Sequence, residues 1–152
     1  MERRSHLIKL KLIGILLLSF SVLLVNKAYG VDQDTVAIQT ILLESRGESL
    51  DGQIAVGEVI RNRALKRHQD VSAVCMAPSQ FSCWNSLEMA IKTLKGVSGE
   101  EYQRASRAWS ESGHTNLVKG ADHYCRYDCG PYWAKGMKPI VRISNHVFYK
   151  EK

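Results

Sequence analysis

Residues 12–25, LIGILLLSFSVLLV, form an uncharged apolar stretch of 14, and they decide how much of the chain is left to fold. A basic leader with Arg3, Arg4, Lys9 and Lys11 precedes the stretch, and the small residues of Ala28-Tyr29-Gly30 follow it. That three-part layout is a secretory signal over residues 1–30, with cleavage expected after Gly30. The alternative is an uncleaved anchor, but a spanning helix needs roughly 20 apolar residues, and the flanking lysines cut this one short. Residues 31–152 are therefore expected to form a single exported domain with a core of its own, in the periplasm or cell wall.

Export also reassigns the charge. The chain is +6 overall, but five of its 21 basic residues and one of its 15 acidic residues lie in the leader, leaving 16 against 14 in the remainder. A domain near +2 lacks the basic excess of a nucleic-acid binder, and the membrane is touched only through the signal segment. All four cysteines, Cys75, Cys83, Cys125 and Cys129, fall after the leader. In an oxidising compartment an even set reads as two disulfides, most simply Cys75–Cys83 and Cys125–Cys129, although three pairings are possible. A metal site that includes His123 is the weaker alternative, because the His-x-Cys-x3-Cys spacing is not that of a tight finger. No metal or other cofactor is expected, and the domain is expected to act as a monomer.

Periodicity predicts helices over 32–44, 51–65, 86–95 and 99–112. Asp32 or Asp34 can cap the first and Asp51 the second. Asn85 with Glu88 and Ser98 with Glu101 match capping boxes for the other two. Residues 66–84 read as a loop. After Gly120 the texture becomes aromatic and β-branched, which predicts short strands or a hairpin over 121–133 and 139–150. The expected class is α+β, mainly helical, with a small C-terminal β element. Trp109 shares a helical face with Tyr102 and Ala105 and reads as core. Glu58, within one turn of Arg61 and Asn62, reads as a solvated pair.

The first helix ends on a carboxylate. Glu44 lies three residues after Ile41 and seven after Ala37, on the face that packs inward. Partial desolvation and the negative end of the helix dipole both favour the protonated acid, the form a general acid needs in glycosidic cleavage. The competing reading is an ion pair with Arg46 or Arg63. Glu48, one turn on, is a possible auxiliary carboxylate, or else fixes Arg46 or caps a helix.

These residues carry a resemblance. Glu44-Ser45-Arg46-Gly47-Glu48, Gly52-Gln53-Ile54-Ala55-Val56 and Val59-Ile60-Arg61-Asn62-Arg63 resemble the signature of the SleB-type cell-wall hydrolases, the spore-cortex-lytic enzymes. Gln80-Phe81-Ser82 with Trp84, Gly120-Ala121-Asp122-His123-Tyr124, Pro131-x-Trp133 and His146-x-Phe148 continue it in order over residues 36–149. The cysteine pairs and Ser144, where the family more usually has glycine, depart from the pattern. The resemblance implies a lysozyme-like fold and cleavage of peptidoglycan glycan strands between N-acetylmuramic acid and N-acetylglucosamine, with the essential acid at Glu44. Ser45 is similar to the serine of the Glu-Ser pair of lytic transglycosylases.

Glycosidases with two carboxylates hold them roughly 5–5.5 Å or 6.5–9.5 Å apart, and no Asp in this chain announces itself as such a partner. A one-carboxylate mechanism fits better: lytic transglycosylation, leaving a 1,6-anhydromuramoyl end. The alternatives are a hydrolytic N-acetylmuramidase, with Glu48 as helper, and an inactive wall-binding module. Phe81, Trp84, Tyr124, Tyr132 and Trp133 are candidate stacking platforms, with core packing an equal reading for the two tryptophans. Gln80, Ser82, His123 and Asn145 are candidate hydrogen bonders to the sugar. His123 and His146 are read as structural hydrogen bonders rather than acid–base groups.

Overall fold

The computed structural model describes residues 32–151, so the secretory signal expected over 1–30 lies outside the described residues. Five helices come first: α1 (Gln33–Ser45), α2 (Leu50–Arg67), α3 (Val71–Met76), α4 (Leu87–Lys95) and α5 (Gly99–Glu111). Three strands follow, β1 (His123–Arg126), β2 (Pro139–Ile143) and β3 (His146–Tyr149). They form one antiparallel sheet in the order β1-β3-β2. Short 3-10 turns at Ser82–Trp84 and Tyr132–Gly136 complete the fold. Among the described residues no helix is long and apolar enough to cross a membrane.

The α+β class and the helix positions agree with the sequence, with local exceptions. Ser49, not Asp51, caps α2, its hydroxyl accepting from the Gly52 amide at 3.1 Å. Ser86, not Asn85, caps α4. The Ser98–Glu101 capping box opens α5 as expected. The expected loop 66–84 contains α3, six residues long, too short to show a periodicity of its own.

α2 is the central helix. Every residue from Gly52 to Ile60 is buried, because its two sides pack against different partners. Val56 and Ile60 join Val36, Ile41, Leu42, Val74, Phe81 and Trp109 in a core among the helices. Ala55 and Val59 join Val118, Ala121 and Phe148 in a second core under the sheet. A helix buried all round has no wet face for its charged residues. Glu58 is accordingly 3% exposed rather than solvated. Its two oxygens accept the amides of Leu117 and Val118, both at 2.8 Å, which compensates the buried charge. Arg61 stacks 3.6 Å over the Trp109 ring and donates to the Trp109 carbonyl and the Ser112 hydroxyl. Trp109 is core, as expected, and its indole N–H donates to Asp34 at 2.7 Å.

The disulfides read from the sequence are not formed, and Cys75, Cys83, Cys125 and Cys129 are free thiols. Burial pushes the Cys75 thiol up to about 11, and burial together with the Glu44 carboxylate pushes Cys83 further still.

Asp122 ties the start of the sheet to the chain's end. One oxygen accepts Lys66 Nζ at 2.7 Å; the other accepts the Glu151 amide at 3.0 Å and faces His123 Nδ1 at 2.8 Å. Burial alone would raise this carboxyl, but these partners hold it down at about 2. With its folded value below its unfolded one, Asp122 contributes stability that is complete above about pH 4 and lost as pH falls toward 2. Urea midpoints measured from pH 5 to 2 should therefore fall less steeply for Asp122→Asn than for the unaltered protein.

Candidate active site

α1 delivers Glu44 at its last turn, half-buried, next to Ser45, whose hydroxyl bonds back to the Ile41 carbonyl at 2.8 Å. Neither Arg46 nor Arg63 serves as its ion-pair partner. Instead Glu44 Oε1 accepts the Cys83 amide at 3.1 Å, and Oε2 accepts the Tyr124 hydroxyl at 3.0 Å.

Each donor is held by the fold. Cys83 sits in the Ser82–Trp84 turn, which Trp84 anchors by donating its indole N–H to Thr40 Oγ1 at 2.9 Å. Tyr124 lies in β1, its ring edge-on to His146 at 5.0 Å and tilted on Phe148 at 5.7 Å. Burial, with the Glu44 carboxylate next, pushes the Tyr124 phenol well above its usual range, so it keeps its proton. Arg63, 6% exposed, reaches both segments. It donates to the Gln80 carbonyl at 2.8 Å and to the Asp122 carbonyl at 2.7 Å, with its guanidinium 4.6 Å over the Phe81 ring.

Glu48 faces elsewhere. Its oxygens accept the backbone and side-chain amides of Asn145 at 3.0 and 3.1 Å. Burial raises this carboxyl, but the two Asn145 donors and the nearby His146 outweigh it and hold it below the ordinary value. His146 itself is kept toward the neutral form by burial, against the pull of Glu48 and Glu44, and its Nδ1 has no hydrogen-bond partner among the described residues.

Residues 47–149 match the profile of the family described as Cell Wall Hydrolase, more than half of the chain. The chain belongs to that family. The matched span opens three residues after Glu44. Two solved structures are similar to this cell wall hydrolase over 78% of its length at 25% identity. One is the catalytic domain of the Bacillus cereus SleB protein, with a TM-score of 0.63 and 89% of that chain covered. The other is the catalytic domain of the germination-specific lytic transglycosylase SleB from Bacillus anthracis, with a TM-score of 0.64 and 93% covered. No curated protein matches by sequence. The resemblance to SleB-type cell-wall hydrolases read from the motifs is thus sustained.

The remaining predicted site residues of this hydrolase divide by exposure. Phe81, expected as a stacking platform, is 2% exposed and belongs to the core beneath Arg63. Trp84 packs on the same core and is tied to Thr40. Tyr124 is the partner of Glu44, not an open platform. Tyr132 and Trp133 are 87% and 37% exposed in the second 3-10 turn. Gln80 is half-buried and Ser82 exposed, directly before Cys83. His123 and Tyr124 are neighbours on β1, so they face opposite sides of the sheet. His123 accordingly meets Trp133 at 5.4 Å, away from Glu44's partner. Asn145 uses its side-chain amide on Glu48.

Two positioning residues escaped the sequence reading in these roles, Thr40 and Arg63. Arg63 had a detectable signal, since it follows Val56 and Ile60 at i+7 and i+3 on an apolar face. A cation there must be buried and must find partners.

Proposed function

We propose that this protein cleaves peptidoglycan glycan strands between N-acetylmuramic acid and N-acetylglucosamine by lytic transglycosylation, with Glu44 as both acid and base. The observation that carries the reading is the asymmetric seat of Glu44. An amide N–H can only donate, so Oε1, facing Cys83, is the oxygen that stays unprotonated. The proton then belongs on Oε2, beside a hydroxyl that can accept from the acid and donate to the carboxylate. Glu44 gives that proton to the glycosidic oxygen as the C1–O bond breaks. The substrate's N-acetyl oxygen stabilises the cation at C1. The muramoyl 6-hydroxyl then attacks C1 and returns its proton to Glu44, closing the 1,6-anhydro ring. No second carboxylate is required, in keeping with the engagement of Glu48 by Asn145.

Membership of the cell wall hydrolase family and the likeness to a SleB described as a lytic transglycosylase support this assignment. Sugar contacts are assigned to Gln80 and Ser82, which keep accessible surface directly before Cys83, the amide donor to Glu44; Trp133 meets His123 and Tyr149 on the other face of the sheet and is not assigned. Export through the signal segment at 1–30 would bring the enzyme to its substrate. Mass analysis of muropeptides released from purified peptidoglycan tests the reading. Anhydro ends are expected; new reducing ends would make the enzyme a hydrolytic muramidase, and binding without release an inactive wall-binding module.

Tyr124→Phe keeps the ring packing and removes only the hydroxyl at Oε2. It is expected to lower kcat about 10- to 100-fold with KM little changed, as positioned proton-transfer partners do. Steady-state release of anhydro-muropeptides measures both constants.

A further inference from the structure

We propose that Glu48 is a positioning residue, neither acid nor base, that clamps the β2–β3 turn to the end of α1 and so keeps Tyr124 on Glu44. The proposal rests on the reading of Glu44 as the acid.

The contacts form a closed circuit. Glu48 follows α1 directly, and its amide donates to the Ser45 carbonyl at 2.9 Å. Its carboxylate takes both donors of Asn145, across 97 positions of sequence. Asn145 precedes His146, the first residue of β3, whose ring packs edge-on to Tyr124 at 5.0 Å. Tyr124 donates to Glu44, one turn before Glu48. The clamp is reinforced on both sides. Ser49 and Ser144 share a hydroxyl hydrogen bond of 2.6 Å, and Arg104 donates to the Glu48 carbonyl at 3.1 Å. Gly52 allows the close approach, since a Cβ there would stand 2.9 Å from Glu48 Cβ and 3.2 Å from Ser144 Oγ. Ser144 holds a left-handed φ of 51° at this turn, a conformation that costs energy in a non-glycine residue and persists only where its surroundings impose it.

Both oxygens of this carboxylate are engaged by Asn145, one by its backbone amide and one by its side-chain amide, so the group is oriented toward the β2–β3 turn. The task it performs is one an amide can perform too. In Glu48→Gln the side-chain oxygen still accepts the Asn145 backbone N–H. The new NH2 meets the Asn145 amide, which can rotate to present its oxygen instead.

Four variants of the full chain test this, with kcat and KM for anhydro-muropeptide release and the imidazole proton shifts of His146 as readouts. Glu48→Ala should lower kcat about 10- to 100-fold with KM within about threefold, and move the His146 resonances. Glu48→Gln should stay within about threefold of the unaltered enzyme and leave them in place. Asn145→Asp alone sets two carboxylates face to face and should lose activity like Glu48→Ala. The exchange pair Glu48→Gln with Asn145→Asp restores a donor–acceptor match and should recover most of it. A well-folded Glu48→Gln as impaired as Glu48→Ala would make the carboxylate itself chemical and overturn the proposal. Full activity in Glu48→Ala, or no recovery in the exchange pair, would overturn it as well. Failure of the acid reading is distinguishable, because it would appear as an active Glu44→Gln while the His146 resonances still followed the clamp.

Discussion

Glu44→Gln is expected to abolish glycan cleavage while leaving the fold intact. Glutamine has the same shape, and its oxygen can keep the 3.1 Å hydrogen bond from the Cys83 amide. The Tyr124 hydroxyl can then accept from the new NH2 rather than donate. What disappears is the transferable proton. A positioned general acid contributes about 10²–10⁴-fold to rate. In the proposed mechanism one group both gives and takes the proton, so the loss should lie at the upper end of that range. The checks are anhydro-muropeptide release over a long time course and an unchanged thermal midpoint. A variant that keeps more than about a tenth of the rate would place the acid elsewhere.

Arg63→Ala is expected to produce the largest loss of stability. The guanidinium is buried, bonds two backbone carbonyls at 2.7 and 2.8 Å, and lies over the Phe81 ring. Hydrogen bonds to a charged group contribute about 1.5–3 kcal/mol each, and removing one partner leaves buried carbonyls unsatisfied. A loss of about 3–5 kcal/mol follows, comparable to breaking a buried ion pair. For a domain of this size the thermal midpoint should fall by about 10 °C or more. Activity should fall beyond what unfolding explains, even well below the new midpoint. Gln80 leads into the turn that carries Cys83, and Asp122 leads into Tyr124, so Arg63 sets the position of both partners of Glu44. Arg63→Lys keeps the charge, but a single ammonium cannot span both carbonyls, and it should recover only part of the loss. A midpoint within about 2 °C of the unaltered protein would show that the bridge contributes nothing.

Much of the architecture was legible in the sequence because it rests on local chemistry. The Ser98–Glu101 box opened α5 as read, since both of its hydrogen bonds lie within one turn. The cap of α4 slipped by one position because Asn85 and Ser86 are both competent caps, and the hydroxyl of Ser86 is the one that reaches the Met89 amide. The shift from helical to β texture after Gly120 located the sheet, though not its β1-β3-β2 order. Glu58 was read as solvated for an identifiable reason. A periodicity analysis gives every helix one wet side, whereas α2 has none over residues 52–60. His123 and Tyr124, adjacent in one motif, were grouped in one cleft although a strand sends neighbours to opposite faces. The cysteine spacing suggested pairing, but spacing does not fix where a sulfur points, and Cys83 points toward Glu44.

The sequence by itself determined the family, the helical framework and the carboxylate at the end of α1. Each of these is written in residue types at short separations, where backbone geometry leaves few choices. The tertiary structure alone decided which atoms face Glu44, that Glu48 belongs to a turn 97 positions away, and that the charges of the central helix are interior. Those outcomes depend on contacts between distant segments, whose geometry is set only when both cores close around α2.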